Sequence, residues 1–336
     1  MLSLIVMSLL PVQTQAAPLV SPLPWLHVQG NRIVNENGLQ VVLRGVMIEE
    51  QSDISVRFDE GDVVELAQNW HVNVIRVWIF PDLWQNDPRY VEDILDPIVN
   101  WGNKYGIYIL LGWSAHGNPI TGQTDLPDWR NLFPFHGNPY NPNMALATDF
   151  WNSVAERYKN DPWVIYSIFN EPSHITWKDW RPVAEQLVDV VRSHNPRALI
   201  LVSGVSWAND LTGAGQDPVR RDNIVYEVHP YPGATTWYGP WNQYFGYLAD
   251  HYPVFAGEWG FQPGDTDPNL NATATSYGKP LLEYMAQKGM SWTGFCWSPY
   301  WNPSMLKTGY EPTEFGQLVK QALSAPLATL TVKRRP

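Results

Sequence analysis

Eight short apolar runs, each trailed by a stretch with helical spacing, recur through the 336 residues of this chain. The runs cover residues 42–48, 73–79, 107–113, 164–170, 198–204, 224–229, 254–258 and 292–297. Each is almost continuously apolar, as a strand covered on both faces must be; a half-exposed strand would alternate. Between them, residues 61–70, 91–105, 145–158, 183–193, 244–251, 276–288 and 314–323 set apolar side chains three and four apart, the pattern of a helix with one buried face. Only the segment after the fifth run is poor in helix. Parallel strands need crossovers, and eight alternations in one domain favour a sheet closed on itself. The chain is therefore predicted to be α/β, a single (β/α)8 TIM barrel. Ahead of the first run, residues 26–28 and 32–34 flank Gly30-Asn31 and read as an N-terminal β-hairpin at the barrel bottom.

A parallel barrel gathers the C-terminal ends of its strands at one mouth, and that is where the polar residues fall. The fourth run ends in Asn170-Glu171, the sixth in His229, the seventh in Glu258 and the eighth in Trp297. Glu171 and Glu258 belong to strands that face each other across the mouth. Paired carboxylates are what glycoside hydrolysis needs: one protonates the leaving oxygen, and the other attacks or stabilises the oxocarbenium-like centre. A lone buried carboxylate without such a purpose is costly, so the structural alternative is weak for these two.

Charge narrows the ligand. A net charge of −11 gives no basic face to neutralise phosphates, which argues against nucleic acid and favours a neutral polymer. The single cysteine, Cys296, excludes an internal disulfide and a cysteine-based metal site. His71, His136, His174, His194 and His251 show no metal-ligand spacing, so neither metal nor cofactor is expected. At the N-terminus, the apolar stretch from Leu2 to Leu10 is too short to span a bilayer and is followed by Pro11 and Ala16-Ala17. Residues 1–17 read as a signal peptide, without the usual basic start, and residues 18–336 as one secreted, monomeric catalytic domain, extracellular or periplasmic and free of the membrane after cleavage. Asn271-Ala272-Thr273 matches a glycosylation sequon and carries no weight in the functional reading.

Several motifs, in order, resemble a known family. Ile168-Phe169-Asn170-Glu171-Pro172, Val228-His229-Pro230-Tyr231 and Ala256-Gly257-Glu258-Trp259-Gly260 resemble the fourth-, sixth- and seventh-strand motifs of glycoside hydrolase family 5, with Leu43-Arg44-Gly45 similar to its first strand. The resemblance runs from about Trp25 to the eighth strand. It implies a retaining, cellulase-like β-glycosidase with Glu171 as general acid and then base, and Glu258 as nucleophile. It further implies that Asn170 binds the sugar 2-hydroxyl, that Arg76 keeps the nucleophile ionised and oriented, and that Tyr231 hydrogen-bonds Glu258. His229 would lie near the acid/base, and Trp297 would floor the subsite of the distorted ring. The third strand departs from the pattern: it runs Gly112-Trp113-Ser114-Ala115-His116, so His116, the candidate for the usual third-strand histidine, comes late. Arg76 could instead be a structural ion pair, and His229 and Tyr231 core or loop residues; their strand-end positions favour function.

Eighteen tryptophans serve two ends. Trp70, Trp101, Trp151 and Trp292 lie within helix or strand patterns and read as packing residues. Trp84, Trp129, Trp177, Trp207, Trp237, Trp241 and Trp301 follow strands and read as cleft platforms for pyranose rings, which points to an extended polysaccharide. The long loop 117–143, with Trp129, Phe133, Phe135 and Tyr140, reads as a cleft wall. A cellulose-type β-1,4-glucan is the first expectation, mannan or glucomannan the second, with β-1,3-glucan or glycolipid behind. A transglycosylase would use the same carboxylates, and a carbohydrate-binding barrel without turnover is the reading from another class.

Overall fold

The eight apolar runs form a closed parallel barrel. The computed structural model describes residues 22–49, 58–125 and 138–325, so the expected signal peptide, Trp129, Phe133, Phe135 and His136 lie outside the described residues. A hairpin comes first, β1 (Leu26–Gln29) paired antiparallel with β2 (Arg32–Asn35). The barrel strands are β3 (Arg44–Ile48), β4 (Val74–Ile79), β5 (Tyr108–Trp113), β7 (Val164–Ser167), β9 (Ile200–Ser203), β10 (Ile224–Val228), β11 (Val254–Ala256) and β12 (Ser291–Trp297). They close in the order β3-β4-β5-β7-β9-β10-β11-β12, and β12 returns to β3. Two short strands, β6 (His116–Gly117) and β8 (Glu171–Pro172), pair beyond the rim.

The hairpin occupies the place expected of it. Leu26 and Ile33 pack with Leu43, Val74, Tyr108, Leu110, Ile165, Leu199, Leu201, Val225 and Phe255, an apolar plug at the N-terminal ends of the strands. The opposite end of the barrel interior is polar, so the fold separates a sealed bottom from a chemical mouth.

The helices keep the expected faces but differ at their ends. Among them, α1 (Glu60–Gln68) starts from an Asp59 capping box, and α4 (Met144–Arg157) from an Asn143 cap. The helix predicted over 183–193 begins earlier: α5 (Trp177–His194) is capped by Thr176 and runs through Pro182, where a sequence reading stops. The predicted 91–105 helix divides into a π-helical turn, Val91–Leu95, and α3 (Asp96–Tyr105). The predicted 276–288 helix likewise divides into a turn at Ala274–Gly278 and α9 (Lys279–Lys288). In both, a proline near the junction, Pro97 or Pro280, supplies no N–H to the regular ladder. Between helices and strands, Trp70, Trp151 and Trp292 are buried as expected, and the Trp151 indole donates to the Ile168 carbonyl. Trp101 is half-buried against the same core.

Candidate active site

Strand β5 does not stop at Trp113 but steps aside and pairs again. Ser114 donates its N–H to the Ile79 carbonyl and Ala115 to that of Trp113, a local irregularity that absorbs two residues. The chain then resumes as β6, whose His116 pairs in register with Glu171 of β8. The lateness of His116 in sequence is thus cancelled by the irregularity, and its Nδ1 lies 3.1 Å from Glu171 Oε2.

Hydrogen bonding fixes the protons around it. Arg76 Nη2 donates to Asn170 Oδ1 at 2.6 Å, which turns the Asn170 amide so that Nδ2 faces His116 Nε2 at 3.0 Å. That ring nitrogen must accept, so His116 carries its proton on Nδ1, toward Glu171. Burial pushes His116 down from its ordinary range, and Glu171 and Glu258 only partly oppose this. His116 is the neutral histidine of the pair.

His229 is the charged one. Its Nδ1 lies 2.8 Å from Glu171 Oε1 and its Nε2 3.1 Å from Glu227 Oε1. Both partners are carboxylate oxygens, so both ring nitrogens donate. Burial acts against the charge, but Glu258, Glu171 and Glu227 together raise His229 to about 9. Glu171 shows the mirror effect: burial pushes it up, but His116, His229 and Arg76 outweigh burial and hold it below the usual carboxylate range. His229 and Glu171 are therefore paired as cation and anion, one hydrogen bond apart.

Glu227 is the residue that the sequence reading missed. It is fully buried within β10, 2.7 Å from Arg76 Nη1, and its other oxygen accepts from Ser167 Oγ at 2.6 Å. Arg76, Ser167 and His229 outweigh burial and hold it below its ordinary range. The signal was present: Arg76 and Glu227 are opposite charges in the middle of two apolar strands, where neither is tolerated alone. Gly257 makes room for the pair, since a Cβ there would fall 1.9 Å from Glu227 Oε1 and 2.5 Å from Arg76 Nη1.

Glu258 follows β11 and is 5% exposed, so the mouth of the site, not open solvent, surrounds it. Tyr231 donates to its Oε2 at 3.0 Å, and Arg76 Nη1 stands 3.8 Å from its Oε1. Oε1 has no hydrogen-bond partner among the described residues. Burial, then Glu258 and Glu171, push the Tyr231 hydroxyl well above its usual range, so it stays a donor. Oε2 is thus held by Tyr231 and lies 3.8 Å from His229 Nδ1, while Oε1 is turned toward Arg76.

The structure brings together Arg76, His116, Asn170, Glu171, His229, Tyr231 and Glu258, but not Trp297. The Trp297 ring sits edge-on to Trp70 at 4.7 Å and is 7% exposed, in the layer outside the barrel wall. Register slips between Gly294 and Trp297, so strand alternation cannot be counted through to the end of β12. Phe295 instead meets Trp78, whose ring also borders Phe80, Tyr140 and Trp301. Cys296 lies beside Glu258, and burial first, then Glu49 and Glu258, hold its thiol well above its ordinary range.

The other tryptophans divide. Trp177 opens α5, is buried, and donates to the Asp217 carbonyl, so it is a packing residue and not a platform. Trp84 packs edge-on against Trp113 and Phe150, and Trp241 edge-on against Tyr277 and tilted against Tyr284. Trp237 is 78% exposed, while Trp207 and Trp301 keep partly open faces. Tyr140, from the expected cleft wall, stacks near His116 at 4.4 Å.

Glu171, His229 and Glu258 set one ligand atom each within 4.8 Å of one another, the geometry of a cation site. A doubly protonated His229 offers no lone pair, and Arg76 adds a second positive charge, so this donor set suits proton transfer better. No helix among the described residues is long and apolar enough to cross a membrane.

Known proteins resemble this chain in sequence and in fold. Endoglucanase A of Butyrivibrio fibrisolvens is 28% identical over 265 residues, 76% of this chain and 57% of that protein. Endoglucanase E-5 of Thermobifida fusca is 24% identical, covering 81% of this chain and 55% of its own length. The chain thus spans little more than half the length of these relatives. The β-glucanase SdGluc5_26A of Saccharophagus degradans, solved in complex with cellotetraose, superposes with a TM-score of 0.82 at 29% identity, covering 94% of this chain and 97% of that one. The catalytic domain of Thermobifida fusca endoglucanase Cel5A shares the fold, with a TM-score of 0.72 at 20% identity over 89% of this chain and 97% of that one. The family model for Cellulase (glycosyl hydrolase family 5) matches residues 34–300, most of the barrel, and the chain belongs to that family.

Proposed function

We propose that this protein is a secreted, retaining endo-β-glycosidase that cleaves a β-1,4-linked polysaccharide, cellulose-type glucan first, by double displacement. The observation that carries the reading is the pair of carboxylates at the mouth, with an oxygen of Glu171 and one of Glu258 within 4.8 Å. Retention needs carboxyls about 5–5.5 Å apart, whereas inversion needs about 6.5–9.5 Å to admit a water between them.

In this reading the Glu258 carboxylate attacks the anomeric carbon while Glu171 protonates the departing oxygen. Glu171 then deprotonates the water that releases the sugar. Asn170 holds the 2-hydroxyl. Arg76 and Tyr231 fix the nucleophile, and His116 and His229 flank the acid/base. Trp237 and Trp301 serve as platforms along an extended cleft, which favours internal cleavage of a polymer. The endoglucanase names of the relatives and the cellotetraose bound by SdGluc5_26A support a glucan. The apolar stretch from Leu2 to Leu10 supports export.

Proton NMR of the first products from a cellooligosaccharide tests the stereochemistry. The β-anomer appearing before mutarotation supports double displacement, and the α-anomer appearing first rules it out.

A further inference from the structure

We infer that Glu227 is a positioning residue that fixes the tautomer of His229, so that Nδ1 is always the nitrogen exchanging a proton with Glu171. The inference rests on the glycosidase reading above and adds the route of its proton.

Three contacts carry it. Glu227 Oε1 is 3.1 Å from His229 Nε2 and 2.7 Å from Arg76 Nη1, while Arg76 Nη1 and His229 Nε2 are 3.4 Å apart. Arg76 can only donate, so the shared carboxylate oxygen is the single acceptor between two donors, and Nε2 must carry a hydrogen. Ser167 pins the other oxygen of Glu227, and Oε1 occupies the space that Gly257 leaves by having no side chain. Nδ1 then faces Glu171 Oε1 at 2.8 Å.

The step balances within the site. The Nδ1–H bond of the imidazolium breaks, an O–H bond forms at Glu171, and His229 is left neutral with its remaining hydrogen still on Nε2, toward Glu227. Glu171 passes that proton to the departing glycosidic oxygen. In the second half-reaction water returns a proton to Glu171, and from there to Nδ1. A histidine oriented by a buried carboxylate is held in one tautomer throughout such a cycle.

The charged groups facing His229 are Glu171, Glu227, Glu258 and Arg76, and the neutral His116 ring, Tyr231 hydroxyl and Cys296 thiol stand with them. Neutralising Glu227 removes one of the three carboxylates that keep the imidazolium charged. Its proton is then lost at lower pH.

Two measurements test this. In the wild-type protein, nitrogen-15 NMR of His229 at neutral pH should show both ring nitrogens protonated, with Nε2 remaining protonated after the ring titrates near 9. In Glu227→Gln, the alkaline limb of kcat/KM on cellooligosaccharides should move about one unit or more toward acid. Its kcat should fall about 10- to 100-fold with KM little changed. An activated aryl cellobioside, which needs less protonation, should lose less. A wild-type His229 bearing one proton at neutral pH, or bare at Nε2, overturns the inference; so does a Glu227→Gln limb that stays in place. If Glu227→Gln fails to fold, the wild-type spectrum still decides. A wild type inactive on every β-glycan, yet with His229 titrating as described, defeats the glycosidase reading and supports the tautomer assignment.

Discussion

The hydroxyl of Tyr231 donates a 3.0 Å hydrogen bond to Oε2 of Glu258, on the oxygen opposite the one facing Arg76. The two oxygens of Glu258 therefore have different neighbours, and the Tyr231 hydrogen bond fixes how the carboxylate is turned. A hydrogen bond to a charged group contributes about 1.5–3 kcal/mol, so Tyr231→Phe should lower kcat by about 10- to 100-fold with little change in KM. Steady-state kinetics on a cellooligosaccharide checks this. An unchanged kcat means Tyr231 does not position the nucleophile.

Glu171→Ala should separate substrates by leaving group. Protonation matters most for a poor leaving group, so polymer hydrolysis should fall by about 100-fold or more, while an activated aryl glycoside suffers far less in its first step. Added azide should restore turnover of the activated substrate by replacing the water that Glu171 no longer activates. Equal losses on both substrates would contradict the acid/base role.

Gly257→Ala should be more damaging than an exposed glycine replacement. The new methyl would enter the space of the Arg76–Glu227 pair, and separating a buried ion pair typically costs about 3–5 kcal/mol. A chemical-denaturation midpoint reads this directly, and Gly264→Ala, where a Cβ would meet nothing, is the comparison. That control has its own strain from a positive φ, so its smaller loss sets the baseline.

Stability should also depend on pH in a stated direction. His229 is raised to about 9 in the folded protein, against about 6.5 in an unfolded chain. Its contribution is fully present below about pH 6.5 and is lost as pH rises through about 9. Glu171 and Glu227 are held low, so their contribution is present above about pH 4.5 and is lost as pH falls through their lowered values. Denaturation midpoints across this range should fall at both ends. A midpoint that stays flat through the alkaline side would contradict the charged state of His229.

The barrel was legible because its strands are buried on both faces, and residues such as those of β4 and β5 leave no polar period to confuse the reading. The carboxylates were legible for the same reason: a charge ending an apolar strand stands out. What the sequence concealed depends on local irregularity. His116 looked late because the step at Ser114 and Ala115 cannot be seen in residue spacing. The resemblance places Trp297 at the subsite floor, whereas register slips after Gly294 and its ring packs against Trp70. Glu227 was overlooked although it lies two residues before His229. A strand-end rule looks past charges in the middle of a strand, where only a partner from another strand, here Arg76, makes burial tolerable.

The central claim is tested most directly by measuring reducing-end release by the protein, beside its Glu258→Ala variant, on soluble cellulose derivative, galactomannan, xylan and β-1,3-glucan. Strong release on the cellulose derivative that vanishes in Glu258→Ala is the predicted result. Release that survives Glu258→Ala, or silence of the folded protein on the cellulose derivative, would contradict it.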